Sequence, residues 1–459
     1  MDVDQEKESD AGVADELSIN DMPNEILLMI FRSLTFRQLV TVSAVNHRWN
    51  ELAFFLFQNR VSLQLGSWAF EGQREWTRIY TALSLRASLP KGLDTYAVQP
   101  LADGAHTLDI NIDNANDGTL LEFLRLFRGV ETLLVKIDRI RLSKTKRAFL
   151  RKTPGFLPAV RHLTLRCRYV RMVGLLAEVA PRLVTLDLDL VPRLLPNFYE
   201  CQFDCLQSLT LRFKLACVVA SWEIPEKQNL VECLRQLTSL RKLGLFVDSD
   251  INAFEVAFAL PFIEELTLGG RFKGCRLADF RNLTQMSNLR SLSLAFEAER
   301  FSMYGVYTNP LPTVEVFRTN ESTEFPLPAI IGKFPNLKVL SISTATLSDL
   351  AVQAMVGSTW QNTMEDLSIV IASIKPSVVA SFVALQKLKK LSVFCCDDAQ
   401  DGLSAFNAIA EKETMKELHI QRLYGMQWWP SAAELGACNP GCAVYINREP
   451  AKFYGRAPL

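Results

Sequence analysis

Leu183-Val-Thr-Leu186-Asp-Leu188 is followed by Leu206-Gln-Ser-Leu209-Thr-Leu211. The same phrase returns as Leu240-Arg-Lys-Leu243-Gly-Leu245, Leu289-Arg-Ser-Leu292-Ser-Leu294 and Leu337-Lys-Val-Leu340-Ser-Ile342. Variants of it are centred on Leu108, Leu133, Leu163, Leu186, Leu209, Leu243, Leu266, Leu292, Val314, Leu340, Leu367, Leu391 and Leu418. The mean spacing is about 26 residues, inside the range of structural repeats that stack along one axis. Leucines two apart share one face of an extended chain, so each phrase predicts a short strand with a buried leucine side. Helical patterns lie between the phrases, such as Leu121-Glu-Phe-Leu-Arg-Leu-Phe127, Val173-Gly-Leu-Leu-Ala-Glu-Val179 and Leu350-Ala-Val-Gln-Ala-Met-Val356. Strands that alternate with helical crossovers run parallel. One such unit cannot bury its apolar face alone, and stacked units share a continuous core.

This phrase and period resemble leucine-rich repeats. The expected fold is therefore α/β: a curved parallel sheet with helices on its convex side. Many such repeats carry Asn or Cys three residues after the last leucine. Here those places hold Arg168, Lys214, Asp248, Arg271 and Ala345, with Cys396 alone fitting. The spacing widens to 30 residues before Leu163 and 34 before Leu243, which predicts an irregular arc.

The stretch ahead of the repeats reads differently. In Met22-Pro23-Asn-Glu25-Ile26-Leu27, then Ile30, Phe31 and Leu34, the apolar residues recur at helical spacing. Thr35 with Gln38 fits a capping box opening a second helix. Leu39, Val42, Val45, Trp49 and Leu52 continue the pattern, with a break near Ser43–Asn46. So many large apolar groups in so short a stretch exceed what it can bury by itself. The excess needs a partner surface.

Residues Met22–Ala53 resemble an F-box, with Met22 where Leu is usual, Gln38 where an acidic residue is common and Asn46 where Cys is common. The resemblance implies docking onto the Skp-type adaptor of an SCF (cullin–RING) ubiquitin ligase. Met22, Pro23, Glu25, Ile26, Leu27, Ile30, Phe31, Leu34, Leu39, Val42 and Trp49 are the expected adaptor-binding residues. An F-box before leucine-rich repeats resembles the substrate receptors of such ligases. The implied role is to carry an as yet unidentified target protein on the repeats. The alternative is an adaptor-binding scaffold with no degradative role.

In each strand the residues between and beside the leucines face away from the core. The middle column then reads from Asp109 through Thr164, Asp187, Thr210 and Gly244 to Glu315 and His419, and is mostly small and polar. The next column holds Lys136, Arg166, Asp189, Arg212, Phe246, Phe317 and Phe394. Arg and aromatic residues anchor protein interfaces. Arg166, Arg212, Lys242, Phe246 and Phe317 are accordingly the expected target-binding residues. Equally, they could be solvated sheet residues whose cations are balanced by Asp187 and Asp189.

The expected organisation is an acidic disordered tail at 1–17, the F-box at 18–63, a linker and N-terminal cap at 64–104, repeats at 105–424, and a C-terminal cap and tail at 425–459. The cap is read from Trp428, Trp429 and the apolar run Cys442–Ile446. Fifty basic and fifty acidic residues give zero formal net charge. Such balance supplies no electrostatic reason for nucleic acid or a membrane as partner. There is no signal sequence and no apolar run of spanning length, so the expected setting is cytoplasmic or nuclear. The Cys-x-x-x-Cys pairs at 201/205 and 438/442 have no histidines beside them, and no metal or cofactor is expected. No phosphate loop or nucleophile elbow occurs. His106, His162 and His419 read as surface residues on strands, and no catalytic role is expected.

Overall fold

The computed structural model describes residues 18–58, 61–66, 70, 78–86, 89, 95–141, 157–167, 176, 179–190, 198–213, 224–247, 255–270, 275–276, 283–296, 301–302, 310–319, 330–344, 347–371, 374–395, 403–422 and 441–447. The expected acidic tail, most of the expected C-terminal cap and the sites of the Asn/Cys ladder lie outside these residues.

Three helices come first: α1 (Asn24–Arg32), α2 (Phe36–Ser43) and α3 (His47–Phe57). Thr35 caps α2 as its spacing predicts. Its side chain accepts from the Gln38 amide, and the Gln38 side chain accepts from the Thr35 amide. Asn46 caps α3, its Oδ1 accepting from the Trp49 amide at 2.8 Å. A helix's first amides have no partner within the helix, so these caps fix where α2 and α3 begin. The three helices enclose a small core of Leu27, Phe31, Leu39, Trp49, Ala53, Phe54 and Phe57. Within it Phe31 meets Trp49 edge to face at 5.4 Å.

The rest is one parallel sheet of sixteen strands. In chain order its members are β1 (Ser62–Leu65), β2 (Ala82–Leu85), β3 (Thr107–Asn116), β4 (Thr132–Arg141), β5 (His162–Cys167), β6 (Thr185–Leu190), β7 (Ser208–Phe213), β8 (Lys242–Val247) and β9 (Glu265–Gly270). The sheet continues through β11 (Ser291–Phe296), β13 (Val316–Thr319), β14 (Val339–Thr344), β15 (Asp366–Ile371), β16 (Lys390–Cys395), β17 (Glu417–Arg422) and β18 (Ala443–Asn447). The short strands β10 (Cys275–Arg276) and β12 (Phe301–Ser302) form a separate parallel pair. Neighbours in the large sheet are successive along the chain, as in a leucine-rich-repeat solenoid.

Register is carried by one column: Leu83, Leu108, Leu133, Leu163, Leu186, Leu209, Leu243, Leu266, Leu292, Phe317, Leu340, Leu367, Leu391 and Leu418 are paired strand to strand. All of them are buried. The segments between strands cover the same side, with Leu101, Phe123, Leu234, Met355 and Phe406 joining the leucines in a single core. Among the described residues the other face of the sheet is left open.

Two corrections to the sequence reading follow. The sheet begins at Ser62, so its first two strands fall within residues 62–85, read as the end of the F-box followed by the linker and N-terminal cap of the solenoid. Val314 is also not a central residue. It occupies the turn before β13, the place of Leu289 in the preceding phrase, and Phe317 takes the place of Leu292. The phrase is present there, written as Val314-x-x-Phe317-x-Thr319.

From β3 to β17 the strands of the large sheet are entered through the same hydrogen-bond pattern. The amides of Glu264 and Glu265 both donate to the Arg241 carbonyl, those of Arg290 and Ser291 to the Glu264 carbonyl, and those of Glu365 and Asp366 to the Lys338 carbonyl. Side chains satisfy further carbonyls of the preceding turn. Trp360 Nε1 donates to the Phe334 carbonyl at 2.7 Å. Thr363 and Thr414 hydroxyls donate to the Leu337 and Leu388 carbonyls at 2.8 and 2.9 Å. Tyr80 packs against both the helical core and the solenoid core. Phe54 of α3 meets it edge to face at 5.2 Å. Arg78 lies over the Phe54 ring at 4.8 Å and donates to Asn50 Oδ1 at 2.8 Å.

Phe317→Ala is expected to destabilise the chain by about 3–5 kcal/mol, the cost of emptying a buried aromatic site. Urea denaturation reads this directly, and a loss below about 1 kcal/mol would contradict the register.

Candidate functional site

The helical unit leaves one apolar surface uncovered. Leu27 and Phe31 of α1 point inward, while Ile26, Met29 and Ile30 are exposed on the same helix. On α2, Leu39 is buried, and Phe36 and Val40 are exposed. Val45, Ile19 and Met22 add to the exposed set. Isolated exposed apolar residues are ordinary, but so many on one short helical unit are not.

The expected adaptor residues therefore divide. Met22, Pro23, Glu25, Ile26 and Ile30 are exposed, and Leu34 and Val42 are half-buried. Leu27, Phe31, Leu39 and Trp49 lie inside the helices' own core, where they hold the fold and offer no outer face. Met29, Phe36, Val40 and Ile19 were not singled out from sequence. α1 is apolar nearly all round, so helical spacing alone offers two adjacent stripes, 27/31/34 and 26/29/30, with no means of choosing the inner one.

The open face of the sheet carries the second group. Asp187 sits between two guanidinium groups. Arg212 Nε donates to its Oδ1 at 3.1 Å, and Arg166 Nη2 donates to its Oδ2 at 3.4 Å. The three side chains are only 14–23% exposed. The Arg212 guanidinium also lies over the Phe246 ring at 4.2 Å. Room for that ring comes from Gly269, where a Cβ would stand 2.5 Å from Phe246 Cδ1. Lys242 is exposed and pairs with Glu265 at 2.8 Å. The structure thus brings Arg166, Arg212 and Phe246 together, with Lys242 nearby on the same strand as Phe246. It removes Phe317, fully buried, from the surface. In the middle column the residue of β13 is Arg318, paired with Ser293 and Ser341. Glu315 instead precedes the strand and pairs with Lys338 at 2.8 Å.

Toward the C-terminal strands, His419 stacks on Tyr445 at 4.4 Å. Glu417 accepts from both Lys390 and His419, and these bonds hold its carboxyl below the usual range. Burial pushes the Asp366 carboxyl up against the opposing pull of Lys390 and Arg318. Burial likewise pushes the Cys201 thiol up to about 12, with Cys233 and Glu200 adding to the shift, and the Cys233 thiol up to about 11. Both thiols stay protonated near neutral pH, and a protonated thiol is a weak nucleophile. Among the described residues no three His, Cys, Asp or Glu side chains are grouped to hold a metal ion. No described helix is long and apolar enough to cross a membrane.

Residues 19–61 match the family model described as F-box-like. No curated protein matches the chain. Among solved structures, the chain is similar to an internalin from Listeria monocytogenes at 13% identity, over 92% of this chain and 89% of that one, with a TM-score of 0.31. It is similar to the TLR13–ssRNA13 complex at 14% identity, over 80% and 73%, with a TM-score of 0.33. The helical unit that matches the F-box-like model stands in front of a parallel-strand repeat solenoid that resembles leucine-rich-repeat proteins.

Two outcomes test the electrostatics. Asp187→Ala leaves two largely buried guanidinium groups without their shared acceptor and is expected to cost about 1–3 kcal/mol. Paired with Arg166→Ala in a double-mutant cycle, it should fall short of the summed losses. The second concerns pH. Folding raises the Asp366 pKa above its ordinary 3.8. The proton is held more tightly in the folded chain, so the linked stability is present below 3.8 and is lost as pH rises through the raised value. Asp366→Asn is expected to abolish this loss. Urea melts should show the variant gaining on the natural chain as pH rises from about 3.5 to 7, with no difference at the acid end.

Proposed function

We propose that this chain is the substrate-recognition subunit of an SCF-type ubiquitin ligase, its helices docking on a Skp-type adaptor and its sheet face holding a target protein. The observation that carries the reading is the apolar face of Ile26, Met29, Ile30, Phe36 and Val40. It stays exposed after the helices have completed their own core, within the residues that match the F-box-like model. A surface of this kind loses free energy in water and recovers it against a partner. The adaptor links to the cullin–RING assembly, so the chain itself needs no catalytic group.

The target surface in this reading is the Arg166–Asp187–Arg212–Phe246 layer with Lys242 beside it. Its residues come from four neighbouring strands, β5 to β8, and are fixed before any partner arrives, which reduces the ordering cost of binding. Asp187 offsets one of the two guanidinium charges and holds both groups in place, so recognition there combines the remaining positive charge with the planar Arg and Phe faces.

Replacing Ile26, Met29 and Ile30 together by Ala in the full chain is expected to weaken binding of a purified Skp-type adaptor by about a hundredfold or more. Circular dichroism should be unchanged, because these side chains are outside the core. Undiminished affinity in the folded variant would end the adaptor reading. Phe246→Ala with Lys242→Glu should keep the adaptor and lose captured targets, together with their ubiquitylation in a reconstituted reaction. Targets that stay bound and modified would move the recognition surface elsewhere.

A further inference from the structure

Residues 18–23 enter α1 in a way that apolar packing does not explain. All six are exposed, and the 3₁₀ turn Ile19–Asp21 contributes nothing to any core. An exposed segment of this kind frays unless polar bonds tie it down. Here the ties come from α3. Arg48 Nε donates to Asn24 Oδ1 at 2.8 Å, and its two terminal nitrogens donate to the backbone carbonyls of Asn20 and Met22. Asn46 Nδ2 adds a bond to Asn20 Oδ1 at 3.1 Å. Within the segment, the Ser18 amide donates to Asp21 Oδ2 and the Asn20 amide to Ser18 Oγ. Arg48 precedes Trp49, whose burial in the helical core fixes where the guanidinium emerges.

We infer that Arg48 is a positioning residue for the docking face. It clamps Asn20–Asn24 onto α3 and so sets Ile19 and Met22 beside Ile26, making one continuous apolar surface for the Skp-type adaptor. This rests on the adaptor reading above. Only a guanidinium suits the task. Three acceptors at different heights need the planar fork of donors that Arg provides and that the single ammonium of Lys does not. With the clamp in place the segment is ordered before the partner arrives. Without it, that ordering is a cost of binding.

The test measures adaptor affinity with purified full-length variants, with circular dichroism and thermal melts run in parallel. Arg48→Ala is expected to weaken adaptor binding about tenfold or more. Arg48→Lys, which keeps the charge but not the fork, should restore little of it, separating a clamp from electrostatic attraction. The decisive readout is a cycle with Ile19→Ala/Met22→Ala. That pair should cost about tenfold in the natural background and under about threefold when Arg48 is already Ala, because the segment is then unplaced. Additive losses would assign Arg48 a purely structural role and overturn the inference, as would affinity for Arg48→Ala within about twofold of the natural chain. Should Arg48→Ala fail to fold, Asn24→Ala removes one acceptor outside the core and is expected to weaken binding by about threefold; unchanged affinity there overturns the inference equally. A natural chain with no affinity for the adaptor defeats both the function and the clamp. A natural chain that binds, with Arg48 variants that bind equally well, defeats the clamp alone.

Discussion

One backbone interaction sets the terms for the rest of the molecule: the paired donation of two successive amides, at the entries of β3 to β17 in the large sheet, to the carbonyl just ahead of the strand before. Arg241 receives Glu264 and Glu265, Glu264 receives Arg290 and Ser291, and so on to Lys389, which receives Lys416 and Glu417; at β18 Ala443 alone donates, to Lys416. The bond repeats once per turn, so every strand starts at the same height. A slip of one residue would turn every inward leucine to the open side. The ladder and the leucine column therefore fix each other. Parallel pairing satisfies the backbone, and the shared core supplies the free energy that no single turn could gain alone.

That arrangement decides what the open face can be. Side chains there are brought together by register across strands, from turns far apart in sequence. Arg166, Asp187, Arg212 and Phe246 come from four different turns and form one layer, with Gly269 of a fifth making room for the Phe246 ring. The layer is rigid because the strands beneath it are. The same rigidity reaches the helical unit through Tyr80, which belongs to both cores, and through the Arg78 contacts with Phe54 and Asn50. The helical unit and the solenoid are thereby joined through packed side chains.

The helical unit solves a different problem. Three short helices bury Leu27, Phe31, Leu39 and Trp49 and have no further inner face to offer. Their other large apolar groups must remain outside. Excess apolar content therefore becomes a surface property of the folded unit, and polar bonds from Arg48 and Asn46 extend that surface into an entry segment with no core contact of its own.

By itself the sequence determined the repeat, its parallel strands, the helices ahead of it, the Thr35–Gln38 cap of α2 and the presence of more apolar surface than those helices could hide. These are matters of local spacing, and local spacing is written in the order of residues. Tertiary structure alone decided which of two apolar stripes on α1 faces in, because a helix that is apolar nearly all round carries no inner mark until its neighbours are placed. Tertiary structure also decided that Phe317, not Val314, continues the leucine column, since β13 spells its phrase with Val, Phe and Thr and only pairing with Leu292 and Leu340 identifies the central residue. The sharing of Asp187 between two arginines, the seat of Phe246 on Gly269 and the grip of Arg48 on residues 20–24 all join groups distant along the chain, and distance along a chain says nothing of contact until the fold has closed it.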